Sequence, residues 1–175
     1  VSGVEPAAAV RALGQAQTVP GRMEAVGRRS GQPLVVVDYA HTPNALAHAL
    51  AALREHSAGR VYCAFGCGGE RDTGKRPLMG KAAGRLADAL WITDDNPRGE
   101  DPAAIVADIL AGIPARAAAT VEHDRAAAIA AAIAAAGPDD AVLIAGKGHE
   151  TTQQVGSERR SFSDAAAARR ALGAA

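Results

Sequence analysis

The chain is nearly without aromatic residues: two Phe, two Tyr and one Trp in 175, or 3%. Proteins that grip single-stranded nucleic acid stack bases on such rings, so composition argues against that role. Neither sign of charge is in excess, with 19 Lys and Arg against 19 Asp and Glu. Without a basic footprint, neither nucleic acid nor an anionic membrane surface is expected as a partner. Two cysteines, Cys63 and Cys67, are too few for a disulfide scaffold and fit a reducing, cytoplasmic setting. No segment reads as a signal peptide, and the apolar run from Ala126 to Ala136 falls well short of the ~20 residues a membrane helix needs. The sequence opens on Val1, in mid-pattern, and reads as a piece of something longer.

What is present is an alternation of short apolar runs with amphipathic stretches. Leu34–Asp38, Val61–Phe65, Ala89–Thr93 and Ala141–Ala145 read as strands, the β-branched ones as buried on both faces of a parallel sheet. Ala117–Val121 reads as a weaker strand. Helices are expected from Thr42-Pro43 to about His56, Pro77 to Ala87, Pro102 to Leu110, Arg125 to Ala136 (stopped by Gly137-Pro138) and after Phe162-Ser163-Asp164. Val4 to Ala16 has helical composition, Pro20-Gly21 marks a turn, and the turn-rich stretch from Arg28 to Pro33 is a hairpin tip or a linker. Strands and helices at this spacing predict an α/β fold, a Rossmann-like mostly parallel sheet with helices on both faces, from about Gly27 to the end.

In such sheets ligands bind where strands hand over to helices. At one handover stands Asp94-Asp95-Asn96-Pro97-Arg98. A guanidinium offers a bidentate fork to a carboxylate, and Asp and Asn can take an ammonium, so the stretch suits a zwitterion or is a solvated turn. At another, Gly69 to Arg76 nearly spells a phosphate-binding loop but fails at its last place, where Arg76 replaces the hydroxyl that would hold Mg²⁺. What remains is a Gly-rich turn presenting Arg71, Lys75 and Arg76, an anion site of some kind or a basic turn. Gly146-Lys147-Gly148-His149-Glu150 follows a third strand; its glycines allow close backbone approach to a ligand, and Glu150 is available for an ammonium. His149-Glu150-Thr151-Thr152-Gln153 misses the zinc motif by one residue, so no metal site from protein ligands is expected. At a fourth strand end, Asp38 suits a hydroxylated group such as ribose or caps the next helix, with His41 nearby. His48, His56 and His123 have no convergent partners and read as solvated. Four strand ends, at Asp38, Phe65, Thr93 and Ala145, are thus followed by Gly-rich or charged residues at one edge.

With these residues assembled, the chain resembles the C-terminal domain of the Mur ligases of peptidoglycan synthesis, in their diaminopimelate-adding form. The stretches that carry the resemblance are VPGRMEAV (19–26), VVVDYAHTPNAL (35–46), FGCGGERDTGKRPLMG (65–80), ITDDNPRGEDP (92–102) and AGKGHETTQ (145–153). The resemblance implies that Asp95, Asn96, Pro97 and Arg98 recognise meso-diaminopimelate, with Arg71, Gly146 and Glu150 around it. It places Arg22, Asp38 and His41 on the nucleotide side, closing over ATP. It makes residues 1–27 the tail of the family's central domain and a hinge, and residues 28–175 the C-terminal domain. The central domain carries the family's true P-loop, carboxylated lysine and most Mg²⁺ contacts, and another domain grips the UDP-N-acetylmuramoyl-dipeptide. Those domains would be intramolecular partners of this piece, which alone is expected to be inactive. Two other readings remain: a non-catalytic binding module, and a ligase of the folylpolyglutamate kind, which has no need of the Arg98 pocket.

Overall fold

Three runs of five residues form the middle of the sheet because, Asp38 at the rim apart, nothing in them demands water. The structure is a computed structural model and describes residues 3, 5–9, 19–26 and 31–173. In it β2 (Leu34–Asp38), β3 (Val61–Phe65) and β6 (Ala141–Ala145) lie side by side, their inner residues almost wholly buried. β4 (Ala89–Ile92) and the exposed β5 (Ala118–Val121) extend the sheet on one side, and β1 (Glu24–Ala25) on the other. The order is β1-β2-β6-β3-β4-β5, all parallel except β1.

Helices cover both faces, and the strand residues alternate between them. Val36, Cys63, Phe65 and Leu143 share a core with α1 (Pro43–His56), α2 (Lys75–Leu86) and α3 (Pro102–Leu110). Val35, Val37, Tyr62, Val142 and Ile144 pack with α4 (Arg125–Ala134) and α5 (Asp164–Ala171) on the other face. Capping side chains set the starts: Thr42, Asp101, Asp124 and Ser163 each accept from a backbone N–H in the first turn, with Pro43 and Pro102 just inside. The doubly covered parallel sheet is the architecture expected.

Some boundaries and elements differ from expectation. α2 starts at Lys75 rather than Pro77, since a proline in the first turn removes only an N–H that has no helical partner. α4 ends at Ala134, short of the Gly137-Pro138 stop. A two-stranded antiparallel hairpin, β7 (Thr152–Val155) and β8 (Glu158–Ser161), was not expected at all. Its strands are polar, without the alternation that marks a half-buried strand; the turn Gly156-Ser157, with Gly156 at φ 57°, was the available signal. Residues 6–9 are helical. The rest of the helix expected from Val4 to Ala16, and the stretch Gly27 to Ser30 with the expected hinge, fall on or beyond residues outside the described ones.

Candidate functional site

Register puts the strand ends on one rim. Asp38 stands opposite Ala145, Ala145 opposite Phe65, and Phe65 opposite Ile92, so the four loops leave the sheet together. Between them lies a cleft of about 280 Å³. Arg71, Asp95, Asn96, Arg98, Gly146 and Glu150 line it, with His41 at its side. Pro97 is buried beneath, its carbonyl accepting from Glu100 N at 3.1 Å. Arg22 lies over the Tyr39 ring, 4.6 Å from its centroid, and His41 is 4.5 Å from the same ring. Asp38 accepts from Met23 N at 2.8 Å, which ties the Arg22 segment to β2 and leaves the carboxylate neither capping α1 nor open on both oxygens.

Backbone contacts hold the loops at close range. Gly69 N donates to Asn96 O at 2.9 Å, and Arg98 Nη1 donates to Gly69 O at 2.6 Å. A methyl group on Gly69 would overlap Pro97 O, so the approach requires glycine there. The hairpin clasps the other side: Arg98 N donates to Gln154 O at 3.1 Å, Gly156 N to Arg98 O at 2.6 Å, and Gln154 N to Asn96 Oδ1 at 2.9 Å. Arg98 itself sits at φ 53°, a left-handed backbone that a side chain adopts only under such constraint. One edge of its guanidinium is spent on Gly69 and Asn96 carbonyls; Nε and Nη2 have no partner among the described residues.

Lys147 is the site residue that sequence reasoning missed. It is fully buried, and its Nζ donates to Asn96 Oδ1 at 3.0 Å and Glu150 Oε2 at 2.9 Å. Asn96 Nδ2 also donates to Glu150 Oε2, at 2.9 Å. The glycines on either side of Lys147 were noticed; the lysine between them was the signal. Burial alone would raise the Glu150 pKa, but the hydrogen bonds from Lys147 and Asn96 and the Lys147 and Arg98 charges hold it below the usual value, so Glu150 is an anion at neutral pH. Asp95 goes the other way, raised chiefly by burial against the pull of Arg125 and Lys147. Arg125, read as an ordinary helix start, is buried too. It pairs with Asp164 at 2.7 and 2.9 Å and donates to Ala145 O at the end of β6 and to Asp94 O just past β4.

Two expectations are corrected. Arg76 is not presented at the rim: it is buried and bound to Glu100 at 2.8 Å and Asp108 at 3.0 Å, because it falls on the inner side of α2. Lys75 does line the cleft and donates to His41 O at 3.0 Å. His123 is not without a partner; its Nδ1 lies 2.8 Å from Asp94 Oδ1, brought there by the level ends of β4 and β5. Cys63 and Cys67 are free and buried, and burial pushes both thiols up to about 12, where neither is a nucleophile. Among the described residues no three His, Cys, Asp or Glu side chains converge as a metal cage.

The family model described as Mur ligase, glutamate ligase domain, matches residues 21–148. The chain is 57% identical over 169 residues to the UDP-N-acetylmuramoyl-L-alanyl-D-glutamate--2,6-diaminopimelate ligase of Xanthomonas campestris pv. campestris (strain 8004), covering 97% of this chain and 34% of that protein. The ligase of the same name from Acidovorax sp. (strain JS42) is 56% identical over 173 residues, again covering 97% of this chain and 34% of the relative. The chain therefore spans about a third of the length of the curated relatives it matches. A solved structure of a ligase of that name superposes with a TM-score of 0.84 at 41% identity, covering 99% of this chain and 35% of the other. A bifunctional folylpolyglutamate synthase/dihydrofolate synthase from Yersinia pestis shares the fold, with a TM-score of 0.62 at 23% identity over 91% of this chain and 32% of that one.

Proposed function

The chain belongs to the Mur ligase family, through its glutamate ligase domain, and from that premise we propose that it is the amino-acid-binding part of an ATP-dependent ligase that joins meso-diaminopimelate to UDP-N-acetylmuramoyl-L-alanyl-D-glutamate. In that reaction the D-glutamate carboxylate takes the γ-phosphoryl group of ATP, releasing ADP. An amine of diaminopimelate then attacks the acyl phosphate carbon, an amide bond forms, and inorganic phosphate leaves. The single observation that carries the reading is the cleft where Arg71 and Arg98 stand beside an anionic Glu150. Two cations and one carboxylate at one rim suit the carboxylate and ammonium of one end of diaminopimelate. The amine at the other end is then free to reach the acyl phosphate. This part of the ligase acts by holding the nucleophile and by closing, which brings reactants together and excludes water.

Arg22, Asp38 and His41, gathered around Tyr39, form the side that meets ATP. Mg²⁺ belongs with ATP on the domain opposite, and the described residues do not form a cage for it. The test is kinetic and uses the full-length ligase. Arg98→Ala should raise the KM for diaminopimelate by about tenfold or more, the value of a hydrogen bond to a charged group, and leave the KM for ATP unchanged. An equal rise in both would refute the pairing. Lysine, lacking the distal carboxylate, should be a poor substrate of the parent protein, since it would leave the arginine desolvated and unpaired. A folylpolyglutamate ligase is the weaker reading, because the chain is 23% identical to the solved enzyme of that kind and 57% identical to the diaminopimelate ligase of Xanthomonas campestris.

A further inference from the structure

Lys147 lies under the cleft without lining it. Its side chain is wholly buried, so it does not touch a ligand. Removing an ammonium from water is costly, and a buried ion pair is weak evidence of a gain in stability over apolar packing. A strand end between two glycines could have carried an apolar residue at that place. Both partners of Lys147 Nζ are, moreover, cleft-lining side chains: Asn96 Oδ1 at 3.0 Å and Glu150 Oε2 at 2.9 Å.

The bonds around those two leave one arrangement. Asn96 Oδ1 is filled from both sides, by Lys147 Nζ and by Gln154 N of β7 at 2.9 Å. Its Nδ2 must then face Glu150, and does, at 2.9 Å. Glu150 Oε2 thus receives two donors and is fixed, whereas Oε1 has no partner among the described residues.

We propose that Lys147 is the positioning residue of the amino-acid site, holding Asn96 and Glu150 so that Glu150 Oε1 alone is left to receive the incoming ammonium. The proposal rests on the reading of the cleft given above. It assigns Lys147 and Asn96 to the support of Glu150, and the hairpin residue Gln154 to the support of Asn96. A ligand's ammonium then meets a carboxylate already oriented and already charged, with no side chain left to reorganise on binding.

Steady-state kinetics of the full-length ligase test it with K147M, E150Q and the double variant. K147M should raise the KM for diaminopimelate by about tenfold or more and hold the KM values for ATP and the UDP-dipeptide within about twofold. Because Lys147 works through Glu150, adding K147M to E150Q should worsen the diaminopimelate KM by no more than about twofold. A K147M enzyme with an unchanged diaminopimelate KM, beside an impaired E150Q, overturns the positioning role and leaves the cleft reading intact. Unchanged values for both E150Q and Arg98→Ala instead bring down the cleft reading. Multiplying effects in the double variant overturn the proposal as well, since Lys147 would then act elsewhere. If K147M does not fold, as judged by circular dichroism, K147Q carries the same comparison with an N–H donor retained. Failure of both to fold overturns the proposal, because the ammonium would then be holding the fold and not the site.

Discussion

Asp95 is buried in the loop just past β4, and lost hydration there outweighs the pull of the Arg125 and Lys147 charges, leaving its pKa above the ordinary 3.8. A carboxyl whose folded pKa is raised adds stability below its unfolded pKa and loses that contribution as pH rises through the folded value. At neutral pH the contribution is gone and the buried charge remains. Asp95→Asn, which keeps the shape and drops the charge, should therefore stabilise the 175-residue chain at about pH 7.5, with the margin shrinking as pH falls through the raised value towards 3.8. Urea midpoints of the two proteins across that range check it, and a margin that ignores pH would remove buried charge as the cause. At this scale the sequence was informative where chemistry sits beside a strand end. Arg71, Asp95, Asn96, Arg98, Gly146 and Glu150 could all be picked out because an apolar run stops just before their loops. The lysine between the two glycines could be seen but not its role, and Arg125 not at all, since what gives each its meaning is a partner dozens of residues away: Asn96 for Lys147 and Asp164 for Arg125.

The elements show why the site keeps its shape. α4 begins with Arg125 and α5 with Asp164, and the pair between them is buried on both sides. Arg125 reaches past Asp164 to the carbonyls of Ala145 and Asp94, so two helix starts, the end of β6 and the loop after β4 meet at one guanidinium. Burial alone would lower the Arg125 pKa, but the charge and hydrogen bonds of Asp164, with the Asp95 and Glu150 charges, raise it, so the guanidinium stays charged. Breaking such a pair strands the remaining charge. Arg125→Met should destabilise the chain by about 3–5 kcal/mol, and Asp164→Leu added to it should recover a large part of the loss. Denaturant midpoints of the single and double variants decide the matter; an Arg125→Met protein as stable as the parent would show that the pair is not needed. Helices and parallel strands were legible because caps, prolines and apolar periodicity all agree at their positions. The β7–β8 hairpin was not, because its pairing with Arg98 and its hold on Asn96 depend on the tertiary structure and leave no periodic trace in Thr152 to Ser161.

For the molecule as a whole, the cleft is open at the rim of the sheet. If the opposite wall comes from the rest of a ligase, then calorimetry should find diaminopimelate bound at least about tenfold more weakly by the 175-residue chain than by the full-length protein with nucleotide present. Equal affinities would mean that the chain is a self-sufficient binding module. The sheet order carries a consequence of another kind. β6 is the last of the six strands to be made, yet it lies between β2 and β3, opposite partners that begin more than a hundred and some eighty residues earlier. Two early strands must therefore wait with unpaired edges while most of the polypeptide is synthesised, and the sheet closes only by insertion from its middle. Long-range pairings of this sort form late and slowly, so lesions in Ala141–Ala145 should reveal themselves first as failures of maturation and aggregation in the cell.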